Sequence, residues 1–200
     1  MGYAAGPMKT FVVTIGMFLV VGCGPVPYDY SKEPDPRKKE FVIGIPDSLR
    51  ITVWKNPDLS CEARVRPDGT ISMPLIGDLR ADGRTPSDLK NEITRRLAAF
   101  VKDEGATVTV VVTEVNSYRF TVGGNVERPG VFTTRHFVTV AEAIALGGGL
   151  NRFASPRNVV VIRTDKNGTR RIPIDYSRVG SGEHPEENIA ILAGDNVFVP

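Results

Sequence analysis

Leu49-Arg50-Ile51-Thr52-Val53-Trp54 sets an apolar side chain at every second position, and Asn56-Pro57-Asp58 follows it almost at once. That alternation fits a strand with one buried and one wet face, bounded by a turn. The same reading extends downstream. Ala63-Arg64-Val65 and Thr70-Ile71-Ser72-Met73 flank Arg66-Pro67-Asp68-Gly69. Pro67 presets φ, Asp68 caps backbone N–H groups and Gly69 accepts φ > 0, so a hairpin is predicted. Thr85-Pro86-Ser87-Asp88 opens a helix, with Thr85 as cap, Pro86 at the first helical position and Asp88 completing a capping-box pattern. Leu89, Ile93, Leu97, Phe100 and Val101 recur at helical spacing, with Lys90, Glu92, Arg95 and Arg96 on the other side, as in a helix packed on a sheet. Residues 106–115, almost all Thr and Val, read as a further strand.

A second unit follows. Residues 118–122 form a strand ending in Gly123-Gly124, and Glu127-Arg128-Pro129-Gly130 turns into Val131-Phe132. Thr139 caps a short helix over 140–146, stopped by Gly147-Gly148-Gly149. Residues 159–163 and 170–174 flank Asn167-Gly168, a favoured hairpin turn. Residues 196–199 form the last strand. Gly44-Ile45-Pro46-Asp47 and Ala193-Gly194-Asp195 echo one another: each Asp stands two residues before an apolar strand position, as the cap of a turn. The expected fold class is α+β, with two small β-rich domains at residues 41–116 and 117–200.

Composition narrows the function. Of 200 residues, 24% are charged, the formal net charge is +2, and 41% are hydrophobic, with 20 Gly and 15 Pro. No basic excess marks a nucleic-acid partner. The two Cys, Cys23 and Cys61, and the two His, His136 and His184, are too few and too scattered for a Cys-rich zinc module. No metal and no cofactor are expected. No catalytic residues are assigned either. Asp47, Asp68 and Asp195 sit in turns where capping suffices, and neither His accompanies a Gly-x-Ser-x-Gly motif.

The N-terminus points to the compartment. From Phe11 to Val21 only Thr14 and Gly16 interrupt large apolar residues, behind Lys9. Eleven residues fall short of the about 20 that span a bilayer and suit the about 7–15 of a signal-peptide core. Met8-Lys9 is a second candidate start. The run ends Leu19-Val20-Val21-Gly22-Cys23, which resembles a bacterial lipobox. That resemblance implies a signal peptide over 1–22 and acylation of Cys23, with Gly24 favouring the outer membrane. Pro25, Pro27, Pro34 and Pro36 among charged residues make 23–40 a Pro-rich tether. Cys61 is then a lone thiol, read as a small buried residue.

Taken together, Phe41-Val-Ile-Gly-Ile-Pro-Asp-Ser-Leu-Arg-Ile-Thr-Val53, Trp54-Lys-Asn-Pro-Asp-Leu-Ser60 and Val65-Arg-Pro-Asp-Gly-Thr-Ile-Ser-Met-Pro-Leu-Ile-Gly77 resemble the first domain of the Wza-type polysaccharide export proteins. Val122-Gly-Gly-Asn-Val-Glu-Arg-Pro-Gly-Val-Phe132 and Leu146-Gly-Gly-Gly-Leu150 resemble the β-grasp domain called SLBB. The family usually has Gly-Pro-Gly-Asp where this chain has Gly44-Ile45-Pro46-Asp47, and often Gly at the position of Cys61. Longer members continue into an amphipathic pore helix, and this chain resembles the short members.

The resemblance implies a non-enzymatic lipoprotein of the outer membrane, facing the periplasm. It would assemble as a homo-oligomeric ring that conducts a polysaccharide. An inner-membrane polysaccharide co-polymerase or kinase would be its partner, and a separate outer-membrane pore protein would supply the spanning part. The alternative is an SLBB lipoprotein that binds glycan or docks the machinery without forming the conduit. The turn residues carried by the matching motifs are Gly44, Pro46, Asp47, Pro67, Asp68, Gly69, Pro129, Gly130, Gly148, Gly149, Gly194 and Asp195. Arg119, Arg128, Arg135, Arg152, Arg157, Arg163, Arg170 and Arg171 enrich the second domain in positive charge, for a solvated surface or a passage lining.

Overall fold

The strand built on Leu49, Ile51 and Val53, β1 (Ser48–Val53), buries those three side chains and exposes Arg50 and Thr52. The computed structural model describes Gly2 and residues 28–101, 107–166 and 168–200, so Cys23 and the expected signal peptide lie outside the described residues. β2 (Cys61–Arg64) and β5 (Val108–Glu114) pair antiparallel to either side of β1. β3 (Thr70–Met73) and β4 (Gly77–Arg80) make a separate two-stranded ribbon. α1 (Pro86–Leu97) begins with the complete Thr85–Asp88 capping box and buries Leu89, Ile93 and Leu97. Full burial of each is worth about 1.5–3 kcal/mol, which fixes this helix against the sheet more firmly than its propensity does.

The second domain is a mixed five-stranded sheet in the order β7-β6-β10-β8-β9. Its strands are β6 (Arg119–Gly124), β7 (Gly130–Thr133), β8 (Val159–Asp165), β9 (Gly168–Ile174) and β10 (Asn196–Val199). β6 and β10 run parallel and every other pairing is antiparallel. α2 (Val140–Leu146) starts in a capping box of Thr139 and Glu142 and adds Val140, Ala143 and Ile144 to the core. α3 (Tyr176–Ser181) follows β9. Gly124 ends β6 at φ +85°, where an added Cβ would stand 2.0 Å from the Val199 carbonyl oxygen. The close parallel pairing of β6 with β10 therefore requires glycine there. Among the described residues no helix is long and apolar enough to cross a bilayer.

Three expectations change. The turn at 66–69 forms, with the Gly69 N–H donating to Arg66 O at 2.8 Å and the Arg66 N–H to Thr70 O at 2.9 Å. Its flanking strands, however, are not one hairpin ladder: β2 joins β1, and β3 joins β4. Val65 is buried at the bend, and the ribbon turns Ile71, Met73 and Leu79 onto the core as a second layer. Cys61 is half-buried rather than buried, and partial burial pushes its thiol pKa up.

The third change concerns the Pro-rich stretch. Residues 28–39 do not run free as a tether but form two short 3-10 turns, Tyr30–Lys32 and Pro36–Lys38, capped by Asp29 and Asp35. Tyr28 and Tyr30 pack against the second domain's core. The Tyr30 hydroxyl donates to Pro173 O at 2.6 Å. Its pKa is pushed up to about 12, chiefly by burial and then by the Glu187 carboxylate. Two aromatic rings supply apolar area that counting prolines and charges overlooks. The β8–β9 hairpin closes with Asp165 opposite Gly168, while Asn167 lies outside the described residues.

Candidate functional site

The Gly44-Ile45-Pro46-Asp47 turn is where the two domains meet. Asp47 is fully buried. Its Oδ1 accepts from the backbone N–H groups of Asn116 and Ser117, each at 2.7 Å. Its Oδ2 accepts from the Gly44 N–H at 2.9 Å and from the Ser117 hydroxyl at 2.8 Å. One carboxylate thus ties the turn before β1 to the segment leading into β6, and four donors occupy its lone pairs. The approach is close: a Cβ on Gly44 would stand 2.6 Å from Ser117 Cβ. The Ile45–Pro46 peptide is cis. Beside this junction lies a groove of about 570 Å³ whose walls include Phe41, Val42, Ile45, Ser117, Tyr118 and Phe137. Phe137 stacks edge-on against Tyr118 at 5.0 Å and tilts toward Phe41 at 6.3 Å.

Asp195 performs a related task at the other end of the chain. It accepts from the Leu192 N–H at 2.7 Å, capping the turn that contains Gly194 at φ +85°. It also receives Arg163 Nη2 at 2.6 Å and Nε at 3.0 Å. Arg163 is 2% exposed. Its remaining donors reach Glu33 Oε2 at 2.7 Å and Ala190 O at 2.9 Å. Glu33 is equally buried at its side chain and takes a second cation, Arg170, at 2.9 Å, and the Tyr28 hydroxyl donates to it as well. Two arginines and two carboxylates therefore close an ion network between the N-terminal segment and the sheet. This corrects one expectation: Arg163 lines no passage and meets no solvent, because two buried carboxylates hold it inside.

The other singled-out residues sit in turns on the surface. Asp68 accepts from the Thr70 hydroxyl at 2.6 Å and its N–H at 2.9 Å, bonds that hold its carboxyl below the usual range. Pro67 and Gly69 (φ +79°) share that turn, and Arg66 braces it through Asp78 at 2.7 Å. Asp47, Asp68 and Asp195 are thus held in three separate turns by their own donors. Pro129 and Gly130 lead into β7, Gly130 facing Val122. Gly148 and Gly149, at φ +83° and +88°, end α2 and bring its loop against residues 125–128. Arg119, Arg128, Arg135, Arg152, Arg157 and Arg171 are exposed, and Arg170 is half-buried.

Sequence reasoning passed over Glu33, Tyr28, Tyr30 and Ser117. The pair Tyr28-Asp29-Tyr30, two aromatics inside a charged and Pro-rich run, is the signal that marks a docked segment. Ser117 carries no local signal, since its role comes from a partner 70 positions away.

Comparison with known proteins places both halves. Residues 35–113 match the family described as polysaccharide biosynthesis/export proteins, and residues 119–175 match the SLBB domain. The chain is 32% identical over 130 residues to the exopolysaccharide production protein ExoF of Rhizobium meliloti (strain 1021), covering 58% of this chain and 30% of that protein. It is 31% identical over 135 residues to the EPS I polysaccharide export outer membrane protein EpsA of Ralstonia solanacearum, covering 56% and 35%. The EpsA of Ralstonia nicotianae (strain ATCC BAA-1114 / GMI1000) is 28% identical over 184 residues, covering 80% and 47%. The chain spans less than half the length of each of these curated relatives.

Proposed function

We propose that this chain, whose residues 35–113 match the polysaccharide biosynthesis/export proteins and 119–175 the SLBB domain, is an outer-membrane component of an exopolysaccharide export system. In this reading it is anchored through acylated Cys23, faces the periplasm, and assembles with copies of itself into a ring through which the polymer passes. It acts by binding and conducting rather than by catalysis. An inner-membrane co-polymerase or kinase delivers the polymer, and a pore protein carries it across the outer membrane.

The observation that carries this reading is the order of the two matches on two separate cores. The export match covers residues 35–113 around the β1–β5 core, and the SLBB match covers 119–175 on the sheet that follows. The buried ion network adds mechanical sense. It clamps residues 28–33, just downstream of Cys23, to the second domain, so a lipid at Cys23 would hold that domain close to the membrane. A hydrated glycan needs a wide polar passage rather than a tight apolar pocket. A ring of such domains supplies one.

The full chain, extracted in mild detergent, is expected to run as a discrete homo-oligomer by light scattering, with closed rings in negative-stain images. A monomer at every concentration would remove the conduit and leave a docking lipoprotein.

A further inference from the structure

Four of the eleven exposed arginines are neutralised by an ion pair among the described residues. Arg37 pairs with Asp35, Arg50 with Glu62, Arg80 with Asp82 and Arg95 with Glu92. The loop cluster at one end of the SLBB domain gathers three of the remaining seven. Glu127 N–H donates to Gly149 O at 3.1 Å, Arg128 N–H to Gly147 O at 2.7 Å, and Asn151 N–H to Asn125 O at 3.1 Å. These bonds lay residues 125–128 against 147–151. Arg128 folds over Gly148, where an added Cβ would meet its Nε at 3.3 Å.

Just beyond, Arg152 sits over the ring of Phe153, 4.6 Å from its centroid, and the ring is still 67% exposed. The Asn151 side chain accepts the Phe153 backbone N–H at 2.8 Å and so fixes the turn that carries the ring. Arg157 stands in the 3-10 turn that follows. Arg128, Arg152 and Arg157 have no ion pair among the described residues, and Glu127 is the one acid within 125–131 and 147–158.

A large aromatic ring left in water beside unpaired guanidinium groups asks for a ligand. From this juxtaposition we infer that the 125–128 and 147–157 loops are the glycan contact of the protein and that they select an acidic, carboxylate-bearing polysaccharide. The inference rests on the export reading above. Guanidinium forks match carboxylate geometry and stay charged at any physiological pH. The open part of the Phe153 ring presents π density to the weakly positive C–H face of a sugar ring. Because the patch is a rim rather than a pocket, solvent and salt screen each contact. That gives the weak, repeated grip that suits a moving polymer.

The test uses the full chain in detergent and polygalacturonate as the probe, with dextran as the neutral control. Polygalacturonate is expected to bind, dextran to bind at least about tenfold more weakly, and added salt to release the acidic polymer. The triple variant Arg128→Gln, Arg152→Gln, Arg157→Gln should bind polygalacturonate about tenfold more weakly. Phe153→Ala should weaken it about threefold, with circular dichroism unchanged for both. Three results would each overturn the inference: wild-type affinity in the triple variant, dextran binding as well as polygalacturonate, or arginine-dependent binding of phosphatidylglycerol vesicles without any binding of polygalacturonate. The export reading fails separately, if deleting the gene leaves polysaccharide export intact while purified protein still binds through these arginines.

Discussion

Replacing Arg163 with alanine is expected to lower the stability of the second domain by about 3–5 kcal/mol, because it leaves the buried Asp195 carboxylate without a cation and the buried Glu33 carboxylate with Arg170 alone. Glu33 and Asp195 each have side chains 2% exposed, and Arg163 holds both. A domain of this size has only about 5–15 kcal/mol to lose. The midpoint of thermal unfolding should fall by roughly 10–25 °C. Arg163→Lys should recover only part of the loss, since an ammonium cannot reach Asp195, Glu33 and Ala190 O together as the planar fork does. Removing the three buried members with Glu33→Leu, Arg163→Met and Asp195→Leu should restore part of the stability, because no buried charge is then left alone and Arg170 keeps Asp165 at the surface, while the Leu192 N–H and Ala190 O lose their partners. Hydrogen exchange resolved along the chain gives the location: Arg163→Ala should lose protection in β8 and β10 and release residues 28–39 to proteases. A midpoint equal to wild type would show that the network contributes nothing to folding.

The second large effect is expected at Asp47. Asp47→Ala should cost about 3 kcal/mol, since it leaves the N–H groups of Gly44, Asn116 and Ser117 and the Ser117 hydroxyl without their acceptor. Asp47→Asn is expected to do no better. Its amide offers one acceptor oxygen where the carboxylate offers two, and its NH₂ would face two donors. The result should be seen as lost amide protection at residues 116–117, with both domains' cores less affected than that junction. If Asp47→Asn unfolds like wild type in urea, the carboxylate is not the tie between the domains.

The parts of this protein legible in its sequence are those whose causes are local. Leu49, Ile51 and Val53 alternate with polar neighbours and lie on the buried face of β1. Thr85 with Asp88 and Thr139 with Glu142 are close in sequence, and both capping boxes form. What the sequence hides is set across distance. Glu33 meets Arg163 130 positions away, so the buried ion pair has no signature in the neighbourhood of either residue, and only Tyr28 and Tyr30 hint that the N-terminal segment docks. The hairpin expected around Pro67-Asp68-Gly69 erred for the same reason. Turn chemistry governs the bend, but the burial of Ile71 and Met73 decides which sheet receives the next strand.

These features make one arrangement. Asp47 couples the export domain to the SLBB domain, the Arg163 network couples the SLBB domain to the segment leading from Cys23, and the Arg152–Phe153 edge faces outward beyond them. Each coupling matters to function only if the protein moves polysaccharide across the envelope. The most direct measurement is an in-frame deletion of the gene, with polysaccharide quantified separately at the cell surface, in the periplasm and in the cytoplasm. The account predicts loss of surface polymer with retention inside the envelope, reversed when the full chain is supplied in trans. Unchanged surface polymer, or loss of polymer from every fraction, would contradict it.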